Sequence, residues 1–232
     1  MLDIRIARHA ERSAMAVGRI IEPADPGYKG PAAVCGRQAM SAQRREGPLI
    51  ARSIYVAFNA SPRYLVLRNV RVSISDAVRT MAAAGFANGR THMRRCRDGK
   101  AISVDLVVLD QVTGVVYFLE VKRGVRNIGA DHMQRLMSNW EAIELIGRDV
   151  AQDLFGHPVH DLQVLLLSYY GKTGGPSEHT VTGANLDSFF GVPIQEYVEA
   201  HLQFFRHCID KHVPGLTGYT RHGGGASPRS TA

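Results

Sequence analysis

Ser103-Val104-Asp105-Leu106-Val107-Val108-Leu109, followed after a short turn by Val115-Val116-Tyr117-Phe118-Leu119-Glu120-Val121-Lys122, is the stretch on which the reading of this 232-residue chain turns. Val, Leu and aromatic residues dominate both runs, a composition that fits strands packed on a core. Such strands rarely bury charge, yet these carry an Asp, a Glu and a Lys. Between the runs Gln111-Val112-Thr113-Gly114 reads as a four-residue loop, with Gly114 taking a positive φ. That loop length sets Asp105 opposite Glu120 on antiparallel strands, where directly opposed residues share a face. The strand period of two then adds Lys122 to the same face.

Two adjacent carboxylates repel unless a proton or cation lies between them, and hard oxygen ligands of this kind suit Mg²⁺ or Mn²⁺. Asp105 and Glu120 are therefore candidate metal ligands, with the carbonyl of Val121 as a third. Lys122 stands where it can orient or deprotonate a metal-bound water, or stabilise negative charge developing on phosphorus. A cross-strand ion pair on a solvated sheet face is the plainer reading of these charges. Three charged groups ending two otherwise apolar strands favour a site. Asp110, in contrast, reads as a turn residue.

Working outward, Ser75 is a good N-cap for a helix over Asp76–Ala84, and Gly85 a stop. Asp98-Gly99 is a hairpin-turn dipeptide leading into the Asp105 strand. Met133, Leu136, Met137, Trp140, Ile143 and Ile146 recur at helical spacing before Gly147, which predicts an amphipathic helix with its stripe toward a sheet. Leu162–Tyr170 is nearly continuously apolar, the pattern of a strand buried on both faces, and the crossover helix before it favours parallel pairing. Ile194, Tyr197, Val198, Phe205, Cys208 and Ile209 mark a further helix ended by Pro214-Gly215. From Asp76 the expected order is helix, strand, strand, strand, helix, strand, an α/β fold with a mixed central sheet flanked by helices. Upstream, Ser53–Asn59 and Arg63–Val72 alternate like strands. Residues 1–50 read as a basic arm and linker, partly flexible, with a short amphipathic helix at Leu2–Ile20. The domain proper is expected over 51–215, and a disordered tail over 216–232.

Asp105, then Glu120-Val121-Lys122 at the end of the next strand, with a helix before and a helix and strand after, resembles the PD-(D/E)XK nuclease superfamily over about Ser75–Tyr170. Val104 stands where the family motif has proline. The resemblance implies a restriction-endonuclease-like αβββαβ core and Mg²⁺-dependent hydrolysis of phosphodiesters, with Asp105, Glu120 and Lys122 catalytic. In RecB-like relatives the helix after the motif bears a Gln with a Tyr one turn later. Gln134 fits the first position and Ser138 occupies the second, so Gln134, and after it His132, are the candidates for contacting substrate phosphate.

Composition agrees with a polyanion partner. The formal net charge is +7 and the hydrophobic fraction 45%, and a basic soluble domain most often meets nucleic acid. Arg90, Arg94, Arg95, Arg97 and Lys100 before the motif, with Arg123 and Arg126 after it, form an expected phosphate-binding rim, DNA being favoured over RNA. No apolar run is long enough to span a membrane. Charges interrupt the N-terminus before Met15, and three widely spaced cysteines fit a reducing compartment, so the cytoplasm is expected. A homo-oligomer is compatible with the sequence. His92 with Cys96, and His207-Cys208 with His212, lack a CxxC partner and read as surface or core residues, not zinc ligands. The competing functional reading is a non-catalytic nucleic-acid-binding or assembly protein that keeps the nuclease fold. A basic adaptor that binds a protein through the Ile194–Ile209 helix would leave the carboxylates unexplained.

Overall fold

The computed structural model describes residues 2–21, 30–87, 91–94 and 98–216. The chain divides into two compact units, Met1–Ser53 with Glu196–Ala232, and Ile54–Gln195. Among the described residues no helix is long and apolar enough to cross a membrane.

The Ile54–Gln195 unit is α/β. Its five-stranded mixed sheet has the order β1 (Tyr64–Ile74), β2 (Lys100–Asp110), β3 (Val115–Lys122), β4 (Asp161–Ser168), β5 (Thr180–Thr182). β1 pairs antiparallel with β2 and β2 with β3, while β4 lies parallel to β3 and to β5. The crossover between the parallel strands β3 and β4 is the long helix α4 (Ala130–Phe155), as expected from the apolar run at Leu162. On one face, α4 and α3 (Asp76–Ala83) cover a core that includes Val72, Val104, Val107, Val116, Phe118, Trp140, Ile143 and Val164. Near the other face, Phe58, Tyr64, Tyr117 and Phe190 meet edge to face with ring centroids 5.0–5.3 Å apart. The Tyr64 hydroxyl donates to the Phe190 carbonyl at 2.6 Å. Phe190 ends the short helix α5 (Leu186–Phe190).

The described residues of the Met1–Ser53 and Glu196–Ala232 unit form the helices α1 (Ile4–Gly18), the first part of α2 (Pro31–Asn59) and most of α6 (Ile194–His212). Asp3 caps α1, its carboxylate accepting from the Arg5 and Ile6 amides. His201, fully buried on α6, accepts the Asp3 amide proton at Nε2, 2.9 Å away. Its Nδ1 lies 3.0 Å from the Ser53 hydroxyl, which itself donates to the Leu49 carbonyl at 2.8 Å.

Several expectations need correction. Residues 31–50 are not an arm, because α2 runs from Pro31 to Asn59. Its buried positions include Ala39, Ala42, Leu49 and Ile50, and small alanines with interior Gly36, Gly47 and Pro48 obscure the helical stripe. Ser53–Asn59 is likewise the end of this helix and not a strand. Burial of Ser53, Ile54, Ala57 and Phe58 follows helical spacing and overrides the strand preference of Ile54, Tyr55 and Val56. Among the described residues only two strands lie between α3 and α4, since the third expected strand is β1, ahead of α3. Among the described residues no strand lies between α3 and the Asp98-Gly99 bend. The bend brings Lys100 alongside Ile74, so close that a β-carbon on Gly99 would fall 2.4 Å from the Ile74 carbonyl oxygen. Gly147 lies inside α4, which continues to Phe155. A β-carbon at Gly147 would lie 2.2 Å from the Leu162 Cδ1, so the glycine lets helix and sheet approach. The expected tail lies, from residue 217 on, outside the described residues.

Candidate active site

Pairing between β2 and β3 runs from Leu109 with Val116 to Leu106 with Leu119 and stops there. One further step of the same register brings Asp105 opposite Glu120, as the four-residue turn requires. That turn is closed by Gly114, whose φ is 70° and whose amide donates to the Asp110 carbonyl at 2.8 Å. Beyond this level the strands part. β2 continues to Lys100 paired with β1, and β3 continues to Lys122 paired with β4. The sheet therefore opens into a fork, and the three charged residues stand at its mouth.

Asp105 bridges the fork. Its Oδ2 accepts the Val121 amide proton at 2.8 Å, in place of the backbone carbonyl that would have continued the ladder. The Val121 carbonyl lies on the same edge of β3 as that amide and is directed toward the same opening. On β1 the residue in register with Asp105 is Asn69, with φ 54°, the one non-glycine residue with positive φ among the described residues. Inward alternation slips by one residue at this level in both strands. Leu65 and then Val70, Val72 and Ile74 of β1 face one core, as do Ile102 and Val104 and then Val107 and Leu109 of β2.

Glu120 and Lys122 follow one another on one face of β3, and the Lys122 ammonium donates to Glu120 Oε1. Their side chains are 18% and 31% exposed, half-buried at the rim. Burial, together with the negative charge of Asp105, pushes the Glu120 carboxyl above its ordinary value, and Lys122 opposes the shift. A cation between the two carboxylates would relieve both causes. Each carboxylate keeps one oxygen free of the bonds just described, Oδ1 of Asp105 and Oε2 of Glu120. With the Val121 carbonyl these are hard oxygen donors of the kind Mg²⁺ takes. Among the described residues no group of three or more His, Cys, Asp or Glu side chains gathers anywhere. The fork would thus give a cation two carboxylates and leave the rest of its shell to backbone, water and phosphate oxygens.

Behind Glu120 a small cavity reaches into the sheet, walled by Phe118, Trp140 and Ile143 with Asn139 and Ser103 among its polar residues. Asn139 had no place in the sequence expectations. Its signal was available, since it is a polar residue three positions after Leu136 and four before Ile143, inside the apolar stripe of α4. Gln134 and His132 are exposed on the first turns of α4, and no hydrogen bond among the described residues ties either to the fork. Lys100, Arg94 and Arg126 are exposed, as a phosphate-binding rim needs. Arg123 is half-buried, its guanidinium 5.9 Å from the centre of the Tyr170 ring. Arg90, Arg95 and Arg97 lie outside the described residues. Just past Lys122, Gly124 turns the chain with φ 77°, and a β-carbon there would sit 2.4 Å from the Ser168 hydroxyl.

Asp110 combines its turn role with a second one. Oδ1 accepts from the Val112 and Thr113 amides, while Arg63 reaches both carboxylate oxygens from the start of β1. The Asp110 side chain is fully buried, and the Arg63 side chain is 41% exposed. Burial alone would raise this carboxyl, but the Arg63 guanidinium and the turn hydrogen bonds outweigh it and hold it down at about 2. The ion pair clamps the closed end of the hairpin whose open end carries Asp105 and Glu120.

Comparison with protein-family models, with curated proteins and with solved structures finds no match to this chain.

Proposed function

We propose that this chain is a metal-dependent nuclease that hydrolyses phosphodiester bonds, in DNA rather than RNA. One observation carries the reading: the β2–β3 fork gathers Asp105, Glu120 and Lys122 at the point where the sheet opens. The element run also supports a restriction-endonuclease-like core. Within the Ile54–Gln195 unit, strands β1, β2 and β3, helix α4 and strand β4 follow the order βββαβ, with α3 between β1 and β2 and β5 beyond β4.

Asp105 and Glu120, with the Val121 carbonyl, would hold Mg²⁺ or Mn²⁺. When bound, such an ion polarises a phosphate oxygen and makes its water a stronger nucleophile at neutral pH. Lys122 is anchored by Glu120, which fixes a positive charge at the mouth of the fork. There it orients the attacking water and offsets the negative charge that builds on the phosphoryl oxygens. The exposed cations Arg94, Lys100 and Arg126 supply sequence-independent attraction to the backbone, in which Arg90, Arg95, Arg97 and Arg123 would join.

The test is to incubate the protein and its Lys122→Ala and Glu120→Gln variants with single-stranded, duplex and branched DNA, and with RNA, in Mg²⁺ or Mn²⁺. Cleavage by the unaltered chain is expected, with a loss on the order of a hundredfold or more in either variant and little change in DNA affinity. Equal cleavage by all three forms would rule out this mechanism. Binding without cleavage under every condition would favour the non-catalytic nucleic-acid-binding reading.

A further inference from the structure

From the geometry of the fork we infer that Asn69 is a positioning residue for Asp105. In an uninterrupted ladder, β2 would keep its period of two through residue 105. Val104 and Leu106 would then lie on opposite faces from Asp105, whose carboxylate would stand perpendicular to the sheet. The observed core breaks that pattern, because Ile102 and Val104 face the same side as Val107 and Leu109. The extra residue in the alternation is at Asp105 itself. On β1 the same slip, from Leu65 to Val70, falls across Asn69, the residue in register with Asp105.

Asn69 is what lets the slip occur without shifting the register. With φ 54° it occupies the left-handed region, which Asn tolerates and β-branched residues avoid. The pairing sums remain constant on both sides of it, Arg68 with Leu106 and Val70 with Val104, so the ladder is kinked at this level but not displaced. A kink of this kind re-aims one side chain while preserving the strands around it. Here the re-aimed side chain is Asp105, which reaches along the sheet to the Val121 amide. Asn69 is exposed, so burying its side chain is not its contribution. Backbone conformation is.

That Asn69 sets the Asp105–Val121 contact stands on the fold alone. That this contact matters for turnover rests on the nuclease reading. Both are tested with Asn69→Gly, which keeps the left-handed conformation accessible, and Asn69→Val, which opposes it, beside Asp105→Ala. The first readout is the Val121 amide, by its nitrogen–proton correlation shift and its hydrogen-exchange rate, with D105A marking the broken contact. N69G should match the unaltered protein, and N69V should move toward D105A with exchange faster by about tenfold or more. Where N69V fails to fold, Asn69→Ala replaces it, since alanine also disfavours the left-handed region. In Mg²⁺-supported DNA cleavage, kcat should drop by about a hundredfold in N69V and recover in N69G, with KM little changed. A folded N69V or N69A with an unaltered Val121 amide would overturn the positioning role. A shifted amide with unaltered cleavage would overturn its link to catalysis. Absence of cleavage in the unaltered chain would instead count against the nuclease reading, and the amide measurement would still decide the positioning role.

Discussion

Lys122 and Arg63 show how differently two cations beside carboxylates behave in one hairpin. Lys122 meets a half-buried Glu120 at an open rim, its own side chain 31% exposed. Arg63 covers a carboxylate with no solvent access, and its planar fork engages both oxygens at once. The first pair stays open to solvent, and the second seals a buried charge. Replacing Arg63 with Met leaves the Asp110 charge buried against only two turn amides, and chemical denaturation should report a loss of about 2 kcal/mol, reduced from the fully buried case because Arg63 is partly solvated. The pH dependence has a definite sign. The folded Asp110 carboxyl lies at about 2 and its ordinary value is 3.8, so its ionised form is favoured by folding. Its stabilisation is complete above 3.8 and fades as pH falls toward 2. Urea midpoints at pH 5 and pH 2.5 should therefore fall more steeply for the unaltered protein than for Asp110→Asn.

At the scale of elements, α4 is set by how closely it can lie on β3 and β4. Glycine within an exposed helix weakens it by about 1 kcal/mol relative to alanine, so Gly147→Ala would ordinarily stabilise. Here the added methyl meets Leu162 Cδ1 at 2.2 Å and Phe118 Cε2 at 3.1 Å. Leu162 can swing away, but the Phe118 ring is held in the core. We expect G147A to destabilise by about 1 kcal/mol, with Leu162→Ala in the same chain recovering part of the loss, as measured by thermal unfolding of the two variants. The long helix α2 presents the opposite problem for a reader of sequence. Its buried side is built from Ala39 and Ala42 in its first half, and Gly36, Gly47 and Pro48 interrupt it. A stripe of small residues carries little hydrophobic contrast, although the packing it permits is close.

At the scale of the molecule, the two units carry separate acid sensitivities. In the Met1–Ser53 and Glu196–Ala232 unit, His201 accepts the Asp3 amide with Nε2 and faces the Ser53 hydroxyl with Nδ1. This pairing needs the neutral ring, since a proton on Nε2 would oppose the amide N–H. Burial pushes the His201 value below the ordinary 6.5, the Asp3 carboxylate partly offsetting it and the N-terminal charge adding to it. Folding therefore favours neutral His201, and its contribution is present above pH 6.5 and lost as pH falls through the lowered value. Hydrogen exchange at pH 7.5 and pH 5, corrected for intrinsic rates, should show the first turn of α1 loosening at the lower pH, while the hairpin clamped by Asp110 stays protected. His201→Leu should abolish that difference.

How much of this was legible depends on whether the controlling interaction is local. The four-residue loop and Gly114 determine the hairpin register, and register determines that Asp105 and Glu120 meet, so the core of the candidate site could be read from Ser103–Lys122. The Ser75 cap and the periodicities of α4 and α6 are equally local. So is the long apolar run of β4, whose parallel pairing follows from the helix before it. What the tertiary structure decided lies where distant segments choose between similar local options. Ile54–Asn59 is helical because Phe58 packs on Tyr64 and Phe190. The third antiparallel strand is β1 and not a segment after α3, because Ile74 pairs with Lys100 across the bend at Gly99. The kink at Asn69 leaves no mark in a sequence, since Asn is at home in turns and surfaces alike. Sequence by itself named the charges and their pairing through short-range geometry; only the packed sheet decided how Asp105 is aimed, because that direction depends on a backbone thirty-six residues away.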